Sequence, residues 1–282
     1  MADYVRFILV CEARTGSTML MNALRSSPAI QCFGEVFSLR VPYIHYVTYG
    51  YDRNSEEDIA LRARSPVQFL QERIYCEHPK AIRAVGFKLT NDWGLQGMLL
   101  EELLDHLRND TELRVIHLKR RNLVRLLVSL KMAEHTGLWF EGDPAAVIPS
   151  KLTARNALRA LRHPRWAATR LLQLWRPPAR PKQASIKVTA NELSTFLDET
   201  QRRTADFDEL FSRRSMLTVH YEDLARDRQR VFDEVQTFLG LKPARLTTTL
   251  RKQNPEPLSE LIENYDELYA AFKSSRYEPF FD

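Results

Sequence analysis

Arg14-Thr15-Gly16-Ser17-Thr18-Met19-Leu20 is the stretch whose reading decides the fold of this chain. Ahead of it, Val5-Arg6-Phe7-Ile8-Leu9-Val10-Cys11 is a short apolar run rich in β-branched and aromatic residues, the pattern of a strand buried in a parallel sheet. Behind it, Met19, Leu20, Ala23 and Leu24 recur at helical spacing, and no proline interrupts them before Pro28. The predicted order is strand, tight turn, helix.

That turn is suited to an anion. Gly16 lets the backbone approach a ligand closely, and Ser17 and Thr18 bring hydroxyls beside the N–H groups that a helix start leaves unpaired. Arg14 adds a permanently charged, forked donor that matches a phosphate or sulfonate. An ordinary N-capped helix with an exposed arginine would present the same residues. The nucleotide-binding P-loop, G-x-x-x-x-G-K-[ST], is a poorer match, because both its lysine and its first glycine are absent.

Outward from the turn, further strands alternate with helices. Ala29 to Phe37 is a short apolar stretch that turns at Gly34, and Glu35 is the one charged residue within Phe33-Gly34-Glu35-Val36-Phe37. A carboxylate among aromatics near a strand end can serve as a base, and an exposed loop glutamate is the plainer alternative. Tyr43 to Arg64 mixes aromatics and charges without period and is expected to be a loop near the substrate; Pro66 to Tyr75 is expected to be helical. Ala84 to Thr90 predicts a strand with Lys88 near its C-terminal end, where open α/β sheets gather their ligands. A lysine snorkelling from a strand edge is the competing account.

Leu95 to Leu107 has the spacing of an amphipathic helix, and Leu113 to Leu118 that of a buried strand. Lys119-Arg120-Arg121-Asn122 follows, then a helix carrying Leu123, Leu126, Leu127 and Leu130, with Ser129 eight residues after Arg121. His117, inside the strand, is expected to be a satisfied core histidine. Ser185 to Val188 is a candidate strand, Glu192 to Phe211 a helix, and Met216 to Tyr221 a strand. Glu222-Asp223-Leu224 leads into a helix over Arg226 to Leu239 that stops at Gly240. Arg251-Lys252-Gln253-Asn254 forms a basic cluster before a C-terminal helix. The alternation implies a P-loop-like α/β fold of three layers, a mostly parallel central sheet with helices on both faces, in one domain spanning residues 1–282.

Composition narrows the partners. Pro144 to Asn191 holds ten Lys and Arg and no acidic residue, which exceeds the whole formal net charge of +5, so the remainder of the chain is net acidic. This stretch predicts a basic helical insertion at about 139–184: a solvated arginine face, a lid over an anionic acceptor, or a membrane-surface contact through 151–182 with Trp166 and Trp175. Three cysteines without a C-x-x-C pair argue against a disulfide framework, and no histidine spacing suggests a metal site. No apolar run approaches a membrane span, and a cytoplasmic protein is expected.

Taken in order, Arg14 to Leu20, the Lys119-Arg120-Arg121 strand end with Ser129, and Tyr221-Glu222-Asp223-Leu224 ahead of Phe238-Leu239-Gly240-Leu241 resemble a PAPS-dependent sulfotransferase over most of the chain. The resemblance implies that Arg14, Thr15, Gly16, Ser17 and Thr18 hold the 5′-phosphosulfate of PAPS, and that Arg121 and Ser129 grip its 3′-phosphate. Lys88 resembles the family lysine that reaches the sulfonate and bridging oxygen, and the Arg251-Lys252-Gln253-Asn254 region lies where members of that family often close over the nucleotide. Thr90 stands where animal cytosolic members carry a histidine, and their first-turn lysine and K-G-x-x-G-x-W motif are absent. The Glu35 segment is instead similar to that of bacterial carbohydrate sulfotransferases such as the trehalose enzyme, whose glutamate is the proposed base. The resemblance therefore implies transfer of sulfonate from PAPS to an acceptor hydroxyl of a carbohydrate or glycolipid, with PAP as product and no metal. A nucleotide kinase and a non-catalytic basic protein that binds nucleic acid or a membrane surface are the alternatives; among these partners, nucleic acid is not expected.

Overall fold

A computed structural model of the chain describes residues 3–38, 44, 55–90, 98–137 and 185–281. The predicted basic segment at about 139–184 lies outside the described residues. Five parallel strands form the sheet: β1 (Val5–Cys11), β2 (Ile30–Phe33), β3 (Ala84–Thr90), β4 (Arg114–Lys119) and β5 (Ser215–His220), in the order β2-β3-β1-β4-β5.

Period-two alternation along β1 explains the layering. Phe7, Leu9 and Cys11 point to one face and pack with α1 (Ser17–Arg25) and with Val231, Phe232 and Val235 of a helix over Arg228–Phe238. Ile8 and Val10 point to the other, against α2 (Glu56–Arg64), Phe69 of α3 (Pro66–Phe69), and α4 (Met98–Asn109). Both faces are covered, which is why the strands read as continuous apolar runs. A third apolar cluster joins α5 (Leu123–Thr136) to a long helix over Ala190–Leu210 and to the C-terminal residues up to Phe281. The α/β fold predicted from the sequence is the fold observed.

β1 sits at the centre because its neighbours can approach it. Gly86 on β3 faces Phe7, and a Cβ there would lie 2.4 Å from the Phe7 carbonyl oxygen. From β1 the chain runs to the far edge at β2, returns through β3, and then crosses to β4 and β5. The direction of winding reverses beside β1, so the crevice beyond its C-terminal end is the topological switch point of the sheet.

Several local expectations are corrected. Glu56–Arg64, expected within a loop, is helical: Ser55 accepts from the Asp58 N–H at 3.0 Å, and Glu56, Glu57 and Asp58 supply the acidic first turn that favours a helix start. The helix expected over Pro66 to Tyr75 is present, as Pro66–Phe69 continued by a π-helical turn over Leu70–Ile74. Ser185 to Val188 contributes only a single parallel bridge, Ile186 to Ile262, outside the sheet. The segment after β5 forms two helices, Tyr221–Arg226 and Arg228–Phe238, because Asp227 leaves helical geometry and caps the second by accepting from the Arg230 N–H.

Candidate active site

The opening turn folds as its glycine requires. Gly16 has φ +84°, in the left-handed region, and directly precedes α1. A Cβ at this position would come within 2.7 Å of the Tyr221 ring, so the residue must be small as well as permissive. Arg14 also has positive φ, at 65°, which is uncommon without a glycine and marks a turn held in shape by its surroundings. The Thr15 hydroxyl donates to the Glu12 carbonyl at 2.8 Å, and Glu12 accepts from Arg203 Nε at 3.0 Å. Thr15 and Ser17 are buried, whereas Thr18 is half-buried. No side-chain cap is made at Gly16, so the α1 start presents backbone donors rather than a filled cap.

Beside this turn lies a small crevice lined by Arg120, Arg125, Val128, Ser129, Tyr221, Lys252, Asn254, Leu258 and Leu261. Arg14 closes one side, donating from Nε to Ser129 Oγ at 3.1 Å and from Nη2 to Gln253 Oε1. Arg120 lies with its guanidinium 4.5 Å from the centre of the Tyr221 ring and donates from Nη1 to the Arg14 carbonyl at 3.1 Å. Its Nε is buried without an acceptor among the described residues. Arg125 donates to the Glu256 carbonyl at 3.0 Å, and Asn254 donates to Ser129 Oγ at 3.4 Å.

Like charges crowd here. Burial, then the neighbouring Arg120, pulls the Arg14 guanidinium down to about 10. Arg120 is lowered by burial, with Arg125 adding to it, and Lys252 by burial, then Arg125 and Arg120. Cations that depress one another in a partly buried crevice are stabilised by a bound anion of several negative charges. A nucleotide bisphosphate fits that donor set.

Arg121 is placed differently from its neighbour. Its side chain is 49% exposed, pairs with Asp223 at 2.8 Å, and does not line the crevice. Asn122 accepts from the Arg125 N–H at 2.8 Å and caps α5, and Glu222 accepts from the Arg121 and Asn122 N–H groups at 3.1 Å. This cap turns Arg120 inward and Arg121 outward. Lys252 lines the crevice, and Arg251 is exposed.

The other half of the site is at the ends of β2 and β3. Lys88 Nζ lies 2.6 Å from Glu35 Oε1, and the Lys88 N–H donates to the Gly34 carbonyl at 3.1 Å. The lysine is 10% exposed and the glutamate 31%, so the pair opens at its carboxylate end. Cys11, at the end of β1, links the two halves. Burial pushes its thiol up, the nearby Lys88 pulls it down, and Glu35 raises it, so the residue senses the ion pair. His117 is a core histidine, as expected: it bonds Asp208 at 2.9 Å, and burial, then Lys119, lowers it to about 4. Among the described residues, no group of three or more His, Cys, Asp or Glu could hold a metal ion, and no helix is long and apolar enough to cross a membrane.

The chain is 24% identical to Nodulation protein H of Rhizobium tropici over 281 residues, 98% of this chain and 92% of that protein. The chain resembles the PAPS-dependent sulfotransferases. The chain aligns with the crystal structure of a sulfotransferase from Alicyclobacillus acidocaldarius over 99% of its length and 93% of the other's, at 16% identity and a TM-score of 0.46. It also aligns with retinol dehydratase in a complex with retinol and PAP, at 14% identity and a TM-score of 0.28, covering 98% of this chain and 68% of that one. No protein-family profile matches the sequence.

Sequence reasoning missed two contributors to the crevice, Arg120 and Arg125. Arg120 had a signal, since it stands in the same basic cluster as Arg121, but only the helix cap decides which of the two faces inward. Arg125 reaches the crevice through tertiary packing that no local pattern encodes.

Proposed function

We propose that the protein is a PAPS-dependent sulfotransferase whose acceptor is a hydroxyl of a carbohydrate or glycolipid. The observation that carries this reading is the Glu35–Lys88 pair at 2.6 Å, which puts a proton acceptor and a cation together beside an anion-binding turn. The crowded cations of the crevice support a nucleotide with two phosphate groups.

In the proposed reaction the acceptor oxygen attacks the sulfur of PAPS in line with the bond to the 5′-phosphate. The hydroxyl proton passes to the Glu35 carboxylate as the new S–O bond forms. The old S–O bond breaks, and its electrons stay on the departing phosphate oxygen, giving PAP. Arg14, the α1 backbone donors and Lys88 offset the charge that builds there, in a setting where fixed donors need no reorganisation. Arg120, Arg125, Ser129 and Lys252 hold the 3′-phosphate; Arg121 joins them only by leaving Asp223. The exposed carboxylate end of Glu35 leaves room for a polyhydroxyl acceptor.

The test is release of PAP from PAPS in the presence of a panel of sugars, including trehalose, and of glycolipids. Acceptor-stimulated release that disappears in Glu35→Gln is expected. A folded protein that neither binds PAP nor releases it with any hydroxyl acceptor would contradict the reading.

A further inference from the structure

Arg62 is the largest fully buried side chain of the described protein, 2% exposed, and it belongs to α2, away from the nucleotide crevice. A guanidinium cannot shed its charge, so burying one is costly unless strong acceptors surround it. Arg62 Nη1 donates to the Ser38 carbonyl at 2.9 Å and to the Val36 carbonyl at 3.4 Å. Both acceptors belong to the turn that carries Glu35.

That turn is tied from two sides. On the strand side, Lys88 N–H donates to the Gly34 carbonyl. Within the turn, Val36 N–H donates to the Gly34 carbonyl at 3.0 Å and Ser38 N–H to the Glu35 carbonyl at 3.1 Å. On the helix side, Phe37 packs edge-on against Phe69 and Phe87, and Arg62 takes the two carbonyls. The turn has no regular ladder to hold it, so these contacts help to set the backbone direction at Glu35. The charge-assisted bond from the buried Arg62 Nη1 to the Ser38 carbonyl, at 2.9 Å, is the strongest of them.

We infer that Arg62 is a positioning residue for Glu35: from α2 it fixes the turn after β2, so that the Glu35 carboxylate stays against Lys88 and aimed at the acceptor. This rests on Glu35 being the base, and the test separates the two. Arg62 acts on the base, not on the nucleotide, so its loss should change turnover while leaving PAP affinity intact.

The experiment follows PAP release from PAPS with water as acceptor, alongside PAP affinity by isothermal titration, in the full chain. Glu35→Gln, Arg62→Lys and Arg62→Gln are compared with wild type. Lysine keeps the charge on a shorter side chain that falls short of the two carbonyls, and should slow release about tenfold; glutamine should slow it roughly 10²-fold, as displaced catalytic groups do. Both should bind PAP as wild type does. If Arg62→Gln fails to fold, Arg62→Lys decides. Equal release by Arg62→Lys and wild type, where Glu35→Gln is slowed, overturns the inference alone. Parallel losses of release and PAP affinity in Arg62→Lys also overturn it, since they would mark general damage. Unchanged release in Glu35→Gln overturns the base assignment itself, and the inference with it.

Discussion

At the scale of single residues, Arg120 and Arg121 are adjacent in sequence and opposite in setting. Arg120 stacks on Tyr221 inside the crevice, and Arg121 pairs with Asp223 at the surface. Arg120→Ala should weaken PAP binding roughly 10- to 100-fold, the worth of a charge-assisted contact to a phosphate. Arg121→Ala should weaken it less, because its exposed ion pair contributes little. Titration of both variants at one salt concentration checks the order; a greater loss in Arg121→Ala would reverse the assignment. Glu35→Gln should lower acceptor-dependent turnover by about 10²- to 10⁴-fold, the usual reach of a general base, with PAP affinity retained. At this scale the sequence was legible where chemistry is unusual, as with one carboxylate among Phe33, Val36 and Phe37. It was silent on Arg62, whose partners are backbone carbonyls that carry no side-chain signature.

At the scale of elements, the site depends on two close approaches that only glycine permits. Gly86 lets β3 lie against β1, and Gly16 lets Tyr221 cover the opening turn. Gly86→Ala would force the two strands apart at the Phe7 carbonyl and should cost about 1–3 kcal/mol, measured as a lower denaturant midpoint with unchanged slope. Gly16→Ala combines a left-handed backbone with a 2.7 Å approach to Tyr221, so it should lose PAP affinity as well as stability. Titration with PAP beside denaturant unfolding distinguishes the two variants. Strands and the first helix were readable because their apolar periods are strong and uninterrupted. The helix over Glu56–Arg64 was not, because its apolar face is thin; its signal was the cap, Ser55 with Asp58 three residues on.

At the scale of the whole molecule, the parallel sheet brings strand ends distant in sequence to one edge, and charge follows that edge. Cations gather at the crevice beyond β1 and β4, and a separate buried group lies under the helix over Ala190–Leu210, where Asp208 joins His117 and Lys119, with His220 nearby. His117 stays neutral in the folded protein down to about 4, whereas its ordinary value is 6.5. Between those values the unfolded chain binds more protons, so stability should fall as pH drops from about 6.5 toward 4. Asp208 is lowered against the effect of burial by its bonds to Lys119 and His117, so its contribution is lost only at still lower pH. Unfolding midpoints across this window should slope less steeply in His117→Gln; an unchanged slope would remove His117 as its source. The order of the strands follows from which apolar faces fit together, which no single segment reveals, yet the alternation of strand and helix sufficed for the fold class. The central claim is that the crevice beyond β1 and β4 is a site for a nucleotide bisphosphate. Isothermal titration of PAP into wild type and Arg120→Ala at fixed salt tests it most directly. Saturable binding by wild type, weakened at least tenfold in Arg120→Ala, is the predicted result. No binding by a folded wild type, or equal binding by both, would contradict it.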